Sequence, residues 1–185
     1  MANLIERIFP LLLSIFLFVI PVNAARDTDS YDGNIFPIYA GNGSLVPPQS
    51  SLSKSLANKR TSVIIYYLDD SATSKAFAPV VSALKLIWGG SIDLIPLTTD
   101  ELQGQTIEDP SSEAFYWHGK IPQIVVIDGQ GNLILDEEGQ IGIETLNDAI
   151  SSATGIEAPS YSITIKSFNE YNSEASKEGF TDPRQ

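Results

Sequence analysis

The 185-residue chain carries 23 aspartates and glutamates against 11 lysines and arginines, a net charge of −12, with one histidine and no cysteine. Without thiols there is no disulfide exchange, no cysteine nucleophile and no thiolate-built zinc site; with His118 alone, a His-rich metal site is excluded and a Ser-His-Asp triad is disfavoured. A surface this negative repels phosphate backbones and anionic lipid, which argues against nucleic acid as a partner and against a general anionic-membrane-surface role.

Residues 1–24 read as a secretory leader, with Arg7 as a modest positive start, residues 11–20 as an apolar core and Val22-Asn23-Ala24 as a small-residue cleavage site. The apolar core is about ten residues, against the roughly twenty of a membrane span. A cleaved signal peptide is the first reading. An uncleaved N-terminal anchor is the second, because residues 9–22 are nearly continuously apolar. Either puts the rest of the chain outside the cytoplasm. That remainder has the size of one domain and can bury roughly two thirds of its unfolded surface without a metal or disulfide.

Residues 25–59 are rich in Asp, Ser, Asn, Gly and Pro and read as an extended N-terminal arm, or a linker. The arm holds one apolar island, Ile35-Phe36-Pro37-Ile38-Tyr39, whose Ile35, Phe36 and Tyr39 are expected to pack on something. A short helix is expected over residues 52–56.

The domain proper is expected over residues 60–156. Residues 62–68 are apolar, β-branched and aromatic, as in a buried strand. Asp69-Asp70-Ser71 suits a helix N-cap. The period then changes: Phe77, Val80, Val81, Leu84, Ile87 and Trp88 recur at helical spacing until Gly89-Gly90. Residues 91–97 form a second strand, parallel to the first, with Pro96 implying an edge position or a strand end. Residues 98–112 read as a polar surface excursion. Phe115-Tyr116-Trp117-His118 and Ile121-Pro122 precede a strand over residues 124–128, a hairpin turn over 128–132 and an antiparallel return over 133–136. Glu137 and Glu138 lie just past that return. Ile143, Leu146, Ala149 and Ile150 line a last helix ended by Gly155. Residues 157–185 form a polar C-terminal extension. The turn at Asp128-Gly129-Gln130-Gly131 joins two strands and opens no helix, so it is not a nucleotide loop.

The order β-α-β followed by β-β-α, with a short polar turn between the first strand and its helix, resembles the thioredoxin superfamily: an α/β fold with a central mixed sheet and flanking helices. Aligned on Lys75 and Ala78-Pro79, Ser71-Ala72-Thr73-Ser74 falls where a thioredoxin has Cys-Gly-Pro-Cys. The resemblance implies that Ile121-Pro122 holds the cis-proline that faces this turn, and a cis peptide is expected there. A serine hydroxyl makes no disulfide, so neither oxidoreductase chemistry nor any enzyme activity is expected. The hydroxyls of Ser71 and Ser74 either hydrogen-bond a partner's backbone, or Ser71 or Asp70 simply caps the helix. Asp69, Asp70 and Asp136-Glu137-Glu138 read as caps and solvated charge rather than a metal or acid–base site. Tyr116 and Trp117 either flank a groove for an extended peptide or help close the core. The expected protein-binding face is Asp69, Asp70, Ser71, Ser74, Tyr116, Trp117, Ile121 and Pro122. No catalytic residue, cofactor or metal is expected.

A narrower resemblance rests on Asp32-Gly33-Asn34-Ile35-Phe36-Pro37, Tyr39-Ala40-Gly41-Asn42-Gly43-Ser44-Leu45-Val46-Pro47-Pro48, Tyr67-Leu68-Asp69-Asp70-Ser71, Ser74-Lys75, Phe77-Ala78-Pro79-Val80-Val81-Ser82 and Ile95-Pro96-Leu97. Gly119-Lys120-Ile121-Pro122-Gln123 and Lys166-Ser167-Phe168-Asn169-Glu170-Tyr171-Asn172 complete it. With these segments the chain is similar to the cysteine-less, thioredoxin-like thylakoid photosystem I accessory factors of cyanobacteria. That resemblance implies a site in the thylakoid lumen or on the lumenal membrane face, with membrane association through the N-terminal segment. It further implies photosystem I subunits or assembly intermediates as protein partners. The rival expectations are a structural subunit or lumenal binding module of another photosynthetic complex, and a serine-based thioredoxin-fold enzyme, which the lack of a base near Ser71 disfavours.

Overall fold

The computed structural model describes residues 26–102 and 107–158. The leader expected over residues 1–24 and the extension beyond residue 158 lie outside that range. The first element, α1 (Ile35–Tyr39), corrects the reading of this island as part of an extended arm. Asn34 starts the helix: its side-chain oxygen accepts the Phe36 N–H at 3.1 Å. Pro37 falls in the first turn, where a missing N–H costs nothing. Ile35 and Phe36 are both buried, as expected of residues needing something to pack on. A 3-10 turn, Gly43–Leu45, and a cis Val46–Pro47 bond not anticipated from the sequence lead to α2 (Leu52–Ala57), capped by Ser51.

β1 (Ser62–Tyr67) is buried at every position. Both of its faces are covered, which is why the sequence shows a continuous apolar run rather than alternation. On one face Val63, Ile65 and Tyr67 meet α1, α3 (Ala72–Trp88) and α4 (Ile143–Thr154). On the other, Ile64 and Tyr66 meet Leu52 of α2 and Tyr116. α3 turns Phe77, Ala78, Val81, Leu84 and Trp88 inward. It ends at Gly89, whose φ of 50° suits glycine. Trp88 donates its indole N–H to Asn147 at 2.9 Å, tying α3 to α4.

β2 (Asp93–Thr98) pairs parallel with β1. The Asp93 and Thr99 N–H groups donate to the Thr61 and Tyr67 carbonyls at 2.9 and 3.2 Å. A short 3-10 turn, Glu113–Tyr116, precedes β3 (Gln123–Ile127), which runs antiparallel to β1, and β4 (Leu133–Glu138), antiparallel to β3. Glu137 and Glu138 thus lie inside the last strand, not past it. Their charge does not end the pairing, because β4 is an outer strand with a solvent-facing surface. α4 ends at Gly155 in the left-handed conformation (φ 70°). The sheet order β2-β1-β3-β4, reached by a β-α-β unit and then a β-β-α unit, is the thioredoxin-like fold.

Candidate protein-binding site

The antiparallel register decides where the cis-proline sits. Tyr66 of β1 pairs with Gln123 of β3. One step further along, Pro122 stands level with Tyr67, where the chain leaves β1 for the turn that opens α3. The Ile121–Pro122 bond is cis, as the sequence led us to expect. Pro122 is buried and its carbonyl accepts the Gly139 N–H at 2.7 Å. Ile121 is half-buried. Among the described residues its backbone groups make no backbone hydrogen bond, the condition under which an extended peptide can pair with them.

The turn itself is used internally. Ser71 is the N-cap of α3, its hydroxyl oxygen accepting the Ser74 N–H at 3.3 Å. Ser74 is buried, and its own hydroxyl oxygen accepts the Leu68 N–H at 3.3 Å. Asp69 accepts the Ile35 N–H at 2.9 Å and so fixes the start of α1. Burial pushes its carboxyl above the usual range, and the neighbouring Asp100 and Asp70 charges act in the same sense, against the pull of the Ile35 and Asn34 hydrogen bonds. Asp70 is the exposed member of the group.

The aromatics divide. Tyr116 is buried in the second core, its hydroxyl donating to the Pro110 carbonyl at 3.0 Å. Trp117 is half-buried against Tyr66, ring centroids 5.3 Å apart. Phe115, not among the expected site residues, is 42% exposed. Tyr116 and Trp117 therefore pack on the Tyr66 face of β1. Asp69, Ser71 and Ser74 belong with α1 and α3 on the Tyr67 face. Ile121 and Pro122 sit at the sheet end between them.

Gln123, which sequence reading left aside, holds the loop in place. Its amide nitrogen donates to the Tyr116 carbonyl at 2.6 Å and to Asp136 at 2.7 Å, while its oxygen accepts the His118 N–H at 3.1 Å. Asp136 also meets His118 Nε2 at 2.7 Å. The signal was present: one polar residue opens an otherwise wholly apolar strand directly after the cis-proline.

A second omission is Lys75. It has no exposed surface and reaches back to the N-terminal segment. Its Nζ donates to the Thr28 carbonyl at 3.0 Å, the Ser30 carbonyl at 2.6 Å and Asp32 at 2.8 Å. Tyr39 donates its hydroxyl to the same Asp32 oxygen at 2.6 Å. The Lys75 and then the Tyr39 hydrogen bonds hold the Asp32 carboxyl below its usual range. Burial works against the Lys75 ammonium, but the Asp32 and Tyr39 contacts outweigh it and its pKa stands above the ordinary lysine value. Beside this pair the Ala72 N–H donates to Asp29 at 2.9 Å, and Arg26 donates to the Ala76 carbonyl at 3.3 Å.

Among the described residues no group of three or more His, Cys, Asp or Glu side chains is placed to hold a metal ion, and no helix is long and apolar enough to cross a membrane. No protein-family model matches the chain. Among solved structures it is similar to a thioredoxin mutant from Halobacterium salinarum, at 18% identity and a TM-score of 0.43, covering 57% of this chain and 84% of that one. It is also similar to a redox protein from Chlamydomonas reinhardtii, at 17% identity and a TM-score of 0.46, covering 60% and 34%. The fold assignment rests on the strand order and connections above. In sequence the chain is 37% identical over 153 residues to the thylakoid membrane protein slr1796 of a Synechocystis species, a match spanning 82% of this chain and 76% of that protein. The chain belongs to the family of that thylakoid membrane protein.

Proposed function

We propose that this protein is a redox-inactive, thioredoxin-like protein-binding factor of the thylakoid lumen or its membrane face, accessory to the assembly or stability of photosystem I. The observation that carries the reading is the placement of the Ile121-Pro122 loop, set by the β1–β3 register beside the N-terminal turn of α3 and without backbone hydrogen bonds at Ile121 among the described residues, in a chain without a single cysteine. With no thiol in the chain to act beside this loop, recognition of an extended segment is the role that the loop's backbone supports. The unpaired Ile121 backbone offers main-chain hydrogen bonds to an extended segment, and Trp117 and Phe115 offer apolar contact nearby. The thylakoid location is supported by the Synechocystis relative, the lumenal side by the leader-like residues 1–24, and the photosystem I role by the resemblance carried by the arm and tail segments.

The test is an affinity pull-down of the tagged protein from gently solubilised thylakoids, repeated with Trp117→Ala and Ile121→Asp. Recovery of photosystem I subunits that is lost in both variants is the expected outcome. Recovery that persists in both moves the binding face away from the cis-proline loop. Absence of photosystem subunits from every pull-down removes photosystem I from the proposal.

A further inference from the structure

Residues 26–33 lie across the first turn of α3 in a manner the core does not require. None of residues 26–34 is buried, and burial begins only at Ile35. Tyr31, the one large apolar side chain of the segment, is 74% exposed. What fixes the segment is polar: Asp29 on the Ala72 N–H, the Thr28 and Ser30 carbonyls and the Asp32 carboxylate on Lys75, and Arg26 on the Ala76 carbonyl. Each of these bonds has a charged group on one side, so a segment that brings the same carboxylates and carbonyls can replace them one for one. Ile35 and Phe36 anchor the chain just downstream, so the segment can leave without opening the core.

The receiving surface, by contrast, is built for an occupant. Lys75 stands in the first turn of α3, where the helix dipole opposes a cation. It is nonetheless fully covered, with the oxygens of the segment arranged around its ammonium. Ala72 is the first residue of α3, and its N–H is one of the amides that a helix start leaves without an internal partner. The occupant meets both with two carboxylates three residues apart, Asp29 and Asp32, and presents main-chain carbonyls to Lys75 around and between them.

We propose that the first turn of α3 is a binding site for a short acidic peptide of the pattern Asp-x-x-Asp, and that in the free protein residues 26–33 fill it as a displaceable internal ligand. The proposal rests on the protein-binding reading only in taking the eventual occupant to be a segment of a partner protein. Release of the strap frees the Ala72 N–H and the side of the Lys75 ammonium that the strap covers, while the Tyr39 ring, 5.4 Å from Lys75 Nζ, stays in place.

The test uses the full chain, a double variant Asp29→Asn with Asp32→Asn, and a second host in which residues 26–33 are replaced by glycine and serine. The probe is a synthetic peptide of the sequence RDTDSYDG, copied from residues 26–33. Amide hydrogen exchange is followed at Ala72 and, for the core, at Ile64 and Val125. In both hosts the Ala72 amide is expected to exchange at least tenfold faster while the core amides stay protected. The peptide is expected to restore Ala72 protection in the hosts and to leave the unaltered protein unchanged; a peptide with the aspartates copied from Asp29 and Asp32 replaced by asparagine restores nothing. Ala72 protection that survives in both hosts, or a peptide that fails to restore it, overturns the proposal. Loss of core protection in both hosts also overturns it, because the strap would then be part of the cooperative core. No photosynthetic protein enters the assay, so its result is independent of the pull-down.

Discussion

Asp32 and Asp69 both fasten the N-terminal segment to the α3 turn, and their carboxyls are displaced in opposite directions from the ordinary value of 3.8. Asp32 is held low, chiefly by Lys75, so its contribution is present above the ordinary value and fades as pH falls through its folded value. Asp69 is held high, chiefly by burial, so protonation favours the folded state: its share is fully present below the ordinary value and is lost as pH rises through its folded value. On acidification Asp69 therefore takes up its proton first and Asp32 last. The stability difference between the unaltered protein and Asp32→Asn is expected to be constant above about pH 5 and to shrink below it. Urea unfolding of both proteins across that range checks it; a difference that grows on acidification would contradict the Asp32–Lys75 arrangement.

At the scale of elements, β1, α3, β2, the β3–β4 hairpin and α4 were all legible, because each leaves a periodic or punctuated trace: the switch from a continuous apolar run to helical spacing at Ser71, the glycines at 89 and 155, the turn at 128–132. α1 was not. It is five residues long with a proline at its third position, too short for periodicity and superficially a helix breaker. Its one local signal was Asn34, whose cap is visible only once Phe36 is known to turn back toward it. The candidate site was half legible for a related reason. Ile121-Pro122 is marked by the sequence immediately before a strand, whereas the roles of Gln123 and Lys75 are set by partners far along the chain: Asp136 for one, Thr28, Ser30 and Asp32 for the other. If α1 is a full member of the core, Phe36→Ala should lower the unfolding free energy by about 3–5 kcal/mol. Tyr31→Ala, at an exposed position on the polar strap, should change it by under about 0.5 kcal/mol. Equilibrium denaturation of the two variants separates an integral helix from an attached arm.

For the whole molecule, the net charge of −12 means that cations are scarce and several are already committed: Lys75 to Asp32, Arg60 to Asp93 and Lys120 to Glu138. Copies of the chain repel one another at long range. At short range the sheet has two outer strands, β2 and β4; Pro96 lies buried in β2, and the hydrogen-bonding phase of that strand tells what its outer margin presents. Because Asp93 and Thr99 point their N–H groups at β1, the donors of the even-numbered residues of β2 face outward. Pro96 is the middle one of these, and it has no N–H to give. An incoming strand, from a second copy or from another polypeptide, finds the central rung of that ladder missing. Pro96→Val should leave the fold cooperative yet make the protein self-associate at high concentration, read by sedimentation velocity; a variant that stays as monodisperse as the unaltered protein would show that charge alone keeps the margin free. The proline thus bars the least selective contact a sheet can make, the unplanned addition of a strand.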